Sequence, residues 1–492
     1  DNFSGQQQVL ELKEQHDDYN VSSNPIALEC TPSYYSLIRN NPRFRLFLIS
    51  HLISLLGEWF TYIAIITMIE EWLPDGELSK RTAISYLVVI RLIPNVALSA
   101  VGGTLADSYD RRKATIILNL MSSFVTLLNL LAWRSRSISL VYLVTFLQQV
   151  LCALYEPCSS ALTPQLISNQ EELKLATTIM GLAWSLMAAV GASIGGIVVV
   201  SLGCRICFVL DSLTFIISAW CMYQVKGNFC VKEESHNYTS LWTQMVCMTR
   251  DGYSYLGGQI WGSLVLMKAS AALIYGASDV LNVSFSERTD DSFSFPAVKL
   301  GILFAMTGAG CILGPLLSDC YTTMADYKTL QISFLVCLLA QSAGCLGVGL
   351  FPGFLSTCFF SLIRAAGSNA SWTTSSVLLQ SLSAPEQLGR VLAVDYALAL
   401  GTEACSALLA GILQDRAKFT AEQVSLVMAG IALLLFASWT LYHFLEFGAA
   451  HPILQNHHQQ QRKDSSVKEN SQSLENTPLL MSTNLMEYNL MN

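Results

Sequence analysis

Ionisable residues recur inside the apolar stretches of this chain, at spacings that bring them onto common helical faces. His51, Ser54, Glu58 and Tyr62 are separated by three, four and four residues, so a helix sets them on one side. A carboxyl and an imidazole withdrawn from water can exchange protons near neutral pH, which makes Glu58 with His51 a candidate proton-responsive pair. The same residues also suit a structural hydrogen-bond cluster. Arg91, Asn95 and Ser99 form a second stripe, and Arg91 is a natural charge partner for Glu58 or Glu156. Gln149, Cys152 and Glu156 form a third, with Pro157 able to bend it. Lys268, Tyr275 and Asp279 share a face further along, and Asp279 is a second charge-pairing candidate. Arg364 precedes a small polar face of Gly367, Ser368, Ser371 and Ser375 with Trp372. Asp395, suited to a gate, and the more central Glu403 follow. Asp211 reads as structural. Glu58, Glu156, Asp211, Asp279, Asp395 and Glu403 set six acids against the three bases Arg91, Lys268 and Arg364. That excess suits cations or protons, with amphipathic and zwitterionic organic solutes left open.

The elements that must carry these residues are apolar helices. The chain has 492 residues, 52% hydrophobic and 13% charged, with a mean hydropathy of +0.43. Soluble domains carry about 25% charged residues, so an ordinary soluble enzyme and a largely disordered chain are both excluded. A net charge of -8, spread along the chain, gives no sign of nucleic-acid binding. A bilayer-spanning helix needs about 20 mostly apolar residues. Twelve such segments are predicted, over 44–72, 82–106, 114–133, 137–160, 173–202, 205–224, 259–284, 298–320, 328–350, 354–380, 390–414 and 423–446. Residues 1–43 and 447–492 read as polar, disordered tails, and 225–258 as a polar linker between a six-helix bundle over 44–224 and another over 259–446. With both tails and the linker in the cytoplasm, the loops on that side hold the larger share of the 28 Lys and Arg. The expectation is an all-α membrane protein of two pseudo-symmetric bundles, an arrangement typical of transporters. Charges inside such helices cost at least ~2.5 kcal/mol each on insertion scales and mark functional sites.

Between the second and third segments the chain reads Gly102-Gly103-Thr104-Leu105-Ala106-Asp107-Ser108-Tyr109-Asp110-Arg111-Arg112-Lys113. This resembles the G-x-L-A-D-R-x-G-R-R/K signature of the major facilitator superfamily, with Asp110 in place of the second Gly and Ser108 in place of a basic residue. The resemblance implies the two-bundle fold, and it implies a gating role for Asp107, Arg111 and Arg112, whose bonds across the halves would hold one access state. Phe44-Arg45-Leu46-Phe47, Gly57-Glu58-Trp59, Arg91-Leu92-Ile93-Pro94, Glu156-Pro157, Leu162-Thr163-Pro164-Gln165, Phe208-Val209-Leu210-Asp211-Ser212 and Gly389-Arg390-Val391 resemble the enterobactin-exporter and macrolide-efflux branch. There the first and fourth helices line the central cavity, which favours Glu156 as a substrate contact. Gly191-Ala192-Ser193-Ile194-Gly195-Gly196 resembles the G-P-x-x-G-G antiporter motif, with Ala192 for Pro. A small-residue packing face is the alternative reading of that segment.

The 14 cysteines lie mostly in apolar runs, and the one CxxC, Cys204 to Cys207, lacks a second pair, so no metal site or cofactor is expected. The final residues hold Glu475-Asn476-Thr477-Pro478-Leu479-Leu480, an acidic dileucine pattern, and Tyr488-Asn489-Leu490-Met491, a tyrosine-based one. Both would be read by sorting adaptors as extended peptides and point to a vacuolar or lysosomal membrane, with the plasma membrane as the alternative. Asn282-Val283-Ser284 is a candidate glycosylation site. The expected function is a secondary active transporter moving a small organic solute or metal chelate out of the cytosol, coupled to protons. Glu58, His51, Glu156, Lys268, Arg364 and Glu403 are its candidate coupling and substrate residues. A non-transporting sensor or a membrane-protein partner on the same fold is the alternative. Without a nucleotide loop or a nucleophile–base pairing, an enzyme is not expected.

Overall fold

A computed structural model describes residues 34–73, 80–167, 169–227, 229, 250, 254–257, 262–287, 295–322, 327–351, 353–383 and 388–449. The sorting patterns at Glu475, Leu479, Leu480 and Tyr488, both ends of the chain and most of the central linker lie outside these residues. The described residues contain helices and no strand. After a short helix, Tyr34–Asn40, come α1 (Pro42–Trp72), α2 (Lys80–Ser108), α3 (Arg111–Ser135), α4 (Ile138–Leu166), α5 (Gln170–Leu202) and α6 (Cys204–Gln224). The second half holds α7a (Leu266–Tyr275), α7b (Ser278–Ser286), α8 (Pro296–Thr322), α9 (Tyr327–Leu350), α10 (Phe354–Leu382), α11 (Leu388–Asp415) and α12 (Ala421–Ala449). Ten of these helices are long and apolar enough to cross a bilayer, all but the short first helix, the two α7 pieces and α10. Large apolar side chains such as Phe124, Trp220, Leu434 and Phe444 point outward, as lipid contact requires.

Local chemistry sets the helix ends. Helical structure begins at Tyr34, earlier than the expected tail boundary, and Asn41 caps α1 by accepting from Phe44 N at 3.0 Å, with Pro42 in the first turn. Asp110 stands where the loop signature carries Gly because it caps α3, accepting from Arg112 N at 3.0 Å and Lys113 N at 3.3 Å. The seventh segment departs from the expected single helix. It is interrupted at Gly276 and Ala277, which keep right-handed helical angles, and the carbonyl of Glu403 would lie 2.3 Å from a Cβ at Gly276.

The helix pairings repeat across the two halves. In the first, α1 packs on α5 and α6, α2 on α4, and α3 on α4 and α6. Adding six to each number gives the second set: α7a on α11 and α12, α8 on α10, and α9 on α10 and α12. Two seams join the bundles, α5 with α8 and α2 with α11. Both are backbone-close. A Cβ at Gly301 of α8 would sit 2.6 Å from the Ala192 carbonyl, and one at Gly411 of α11 would sit 2.1 Å from Ser85 Oγ. Overpacking such a contact costs about 1–3 kcal/mol. Gly301→Val is therefore expected to lower the thermal midpoint in detergent and to weaken the α5–α8 seam. Gly401→Ala, with nothing within 4 Å of its Cβ position, is expected to leave the midpoint unchanged.

Candidate functional site

The bundles enclose a cavity of about 600 Å³. Its wall takes Glu58, Trp59 and Tyr62 from α1, Arg91 and Asn95 from α2, Gln149, Cys152 and Glu156 from α4, and Trp184 from α5. The second bundle supplies Tyr275, Asp279, Phe304, Thr307, Ser368, Asn369, Trp372, Tyr396 and Glu403. The stripes read from the sequence thus converge on one space, because α1, α2 and α4 turn their polar faces toward each other. A volume of this size suits a small organic molecule.

Tyr62 is the junction of the site. The Arg91 guanidinium lies 3.8 Å from the centre of its ring, and its hydroxyl donates to Asp279 Oδ2 at 2.7 Å across the bundle interface. The pairing expected for Arg91 and Asp279 therefore runs through an aromatic bridge, and Arg91 also acts electrostatically on Glu58 and Glu403. Trp59 contacts Tyr62, Trp184 and Phe304 with ring centroids 5.7, 6.1 and 5.3 Å apart, building an aromatic wall from both bundles. In the second bundle Trp372 meets Tyr396 edge-on at 5.8 Å. The sequence stripes already held Tyr62 and Trp372, whereas Trp184, Phe304 and Tyr396 carried no signal, since aromatic residues are common throughout apolar helices.

Other charges are engaged away from the cavity. Lys268 donates to Asp395 inside the second bundle, both side chains almost wholly buried, with its Nζ 4.7 Å from the Trp372 ring centre. The sequence had placed Lys268 in the cavity and Asp395 at a gate; side by side they satisfy each other within the α7a–α11 contact. Arg364 is fully buried and donates to Asn282 Oδ1 at 3.3 Å, so Asn282 is an interior residue and not an accessible glycosylation site. Asp211 accepts from Thr61 Oγ1 at 2.6 Å in the core of the first bundle. His51 stacks on Tyr155 and borders a small recess that Glu58 and Glu156 also line.

One end of the cavity is sealed by contacts between bundles that sequence reading had missed. Arg81 donates to Glu287, Thr82 Oγ1 donates to Asp415 Oδ2 at 2.5 Å, and Ser85 Oγ donates to the Ala407 carbonyl at 2.8 Å. These residues lie at helix termini, at the margin of the apolar runs that drew attention. The loop signature sits at the other end. Arg111 donates to the Ala161 carbonyl at 2.8 Å, and Arg112 donates to the carbonyls of Met222 and Tyr223. These bonds tie both arginines to the C-terminal parts of α4 and α6 within the first bundle. Asp107 lies in the last turn of α2. The antiporter-like segment is packing surface: Gly191 and Gly195 face Trp59, and Gly196 faces the Ala297 carbonyl.

The family described as transmembrane secretion effector matches residues 33–475. No curated protein matches the chain significantly. Solved structures share the fold at low identity. The nucleoside transporter NupG is 12% identical with a TM-score of 0.63, covering 82% of this chain and 99% of its own. A bacterial homologue of the human lysosomal transporter Spinster, inward-facing and unoccupied, is 14% identical with a TM-score of 0.59, covering 81% and 96%. A bacterial homologue of the iron transporter ferroportin, also inward-facing, is 14% identical with a TM-score of 0.59, covering 81% and 98%.

The buried pair gives a direct prediction. Removing one member strands the other charge, at a cost of about 3–5 kcal/mol. Lys268→Ala and Asp395→Ala are each expected to lower the thermal midpoint sharply. The apolar double variant Lys268→Met with Asp395→Leu is expected to recover most of the loss, measured by melting in detergent.

Proposed function

This chain belongs to the major facilitator superfamily, in the family of transmembrane secretion effectors, and is a membrane transporter; on that premise we propose that it exports a small organic solute or metal chelate from the cytosol by proton-coupled alternating access. The observation that carries the reading is the cavity between the two pseudo-symmetric bundles, lined by ionisable groups from both and sealed at one end. With both termini in the cytoplasm, the sealed end faces the lumen or exterior, and the cavity is poised to receive a cytosolic solute. Rocking of the bundles about the α5–α8 and α2–α11 seams would break the Arg81–Glu287 and Thr82–Asp415 contacts and open that end.

Glu58 and Glu156 carry the coupling in this reading. They border both the main cavity and the His51 recess, so a proton held there meets the solute in a shared space. Discharging one carboxyl on protonation changes the charge that the solute meets, which links the two occupancies. Arg91 and Asp279 hold the two bundles in register through Tyr62. Arg111 and Arg112 tie the ends of α4 and α6 and so keep the first bundle rigid as it rocks.

The test is flux in proteoliposomes across a solute panel, with an imposed pH gradient. Wild type is expected to accumulate the transported solute against its gradient. Glu58→Gln is expected to lose gradient-driven accumulation at least tenfold while retaining solute counterflow. No counterflow by wild type across the panel would overturn the transport reading; unchanged driven uptake in Glu58→Gln would move the coupling off α1. The tail reading has its own check. Replacing Leu479, Leu480 and Tyr488 with Ala is expected to shift the protein from internal membranes to the cell surface in fluorescence imaging.

A further inference from the structure

The cavity has an unbalanced charge. Four carboxyl groups line it, from Glu58, Glu156, Asp279 and Glu403, and Arg91 is the one basic side chain among the described lining residues. The other two membrane-embedded bases of the sequence are held elsewhere, Lys268 by Asp395 and Arg364 by Asn282. Arg91 itself is drawn onto the face of Tyr62. Asp279 has the Tyr62 hydroxyl as donor, but the carboxyls of Glu58, Glu156 and Glu403 accept no hydrogen bond among the described residues. A carboxyl that faces a cavity without a protein donor takes its partner from water, a proton or a ligand, so these groups are open to one.

The walls repeat that preference. Trp59, Trp184 and Phe304 form one aromatic group in the lining, and Trp372 and Tyr396 form another. Aromatic faces attract cations, most strongly where water is excluded. This protein already uses the effect at the site, with Arg91 on Tyr62, and again beside it, where Lys268 inside the second bundle lies against Trp372. Acids in excess over one guanidinium, in a cavity lined by aromatic rings, favour a ligand with a delocalised or amine positive charge and a flat apolar body. They disfavour an anionic chelate, which would meet three unpaired carboxyls and a single cation already engaged.

We propose that the substrate class is an amphipathic organic monocation, seated among the aromatic rings with its charge toward Glu156 and Glu403. The inference rests on the cavity being the substrate site. It narrows the solute of the transport reading from organic molecules and chelates at large to cations.

The test uses the full-length protein in detergent with two probes of one shape and opposite charge, radiolabelled tetraphenylphosphonium and tetraphenylborate. Tetraphenylphosphonium is expected to bind saturably, about one per chain. Glu156→Gln and Glu403→Gln are each expected to weaken it at least tenfold, while Glu156→Asp, which keeps the charge, binds within a fewfold of wild type. Size-exclusion profiles identify any variant that has failed to fold. Tetraphenylborate is expected to show no saturable binding. Saturable binding of the anion instead, cation binding unchanged in both Gln variants, or no saturable binding of either ion would each overturn the proposal. The two readings fail separately. A cation that binds with this dependence but is not carried by proteoliposomes removes transport and leaves the ligand class standing; flux of organic anions alone does the reverse.

Discussion

Inside a lipid-embedded bundle a charge has few places to go, and most of this architecture follows from where each one is matched. Asp211 is met by the hydroxyl of Thr61 in the first bundle, and Lys268 by Asp395 in the second. Arg364 finds the amide oxygen of Asn282. Arg91 finds a ring face, and through that ring's hydroxyl it is linked to Asp279 in the opposite bundle. Each arrangement fixes a helix pair in register, because a polar contact in a low-dielectric interior tolerates little sliding. The carboxyls left over are those that face open space, and a few unsatisfied acids become the chemistry of the cavity.

The seams explain why such a space exists. Gly, Ala and Ser on α5 and α8, and on α2 and α11, let backbones approach until carbonyls touch neighbouring chains. Contact so close along two lines keeps the remaining helices apart, and the gap between them is filled only by side chains that reach inward. Trp59, Phe304 and Trp372 reach far enough to shape it, and the polar stripes decorate it. Membrane helices gain little from burying apolar surface against each other, so close van der Waals packing at small residues is what holds the halves.

Much of this was legible before any coordinates. Hydropathy placed the apolar helices, although the seventh is broken in two and α4 runs six residues past its expected end; of the three polar stripes, Glu58, Tyr62, Arg91, Asn95, Gln149, Cys152 and Glu156 line one cavity, as helical spacing allows. The loop signature identified the fold, and the structure supplies a reason for its Asp110 substitution in the cap of α3. What sequence could not supply was partnership between distant segments. Lys268 and Asp395 are 127 positions apart and Tyr62 and Asp279 are 217 apart, and nothing in local pattern says that either pair touches. Lys268 therefore read as an unmatched cavity charge when its match was already present. Arg81, Glu287 and Asp415 were passed over for a different reason: at helix ends, charge is the ordinary condition and raises no flag.

The interruption at Gly276 gives the molecule a lever. The short arm beyond it, α7b, carries Asp279 at its start and Glu287 just past its end, one lining the cavity and the other sealing it. The arm before it, α7a, is pinned by Lys268 to α11. Glu287 is eleven residues from the pivot, about 16 Å along a helix at 1.5 Å per residue. A tilt of about 10° there carries its carboxylate roughly 3 Å, enough to part an ion pair. Whatever pulls on Asp279 from within the cavity works the same rigid piece that bars the far exit.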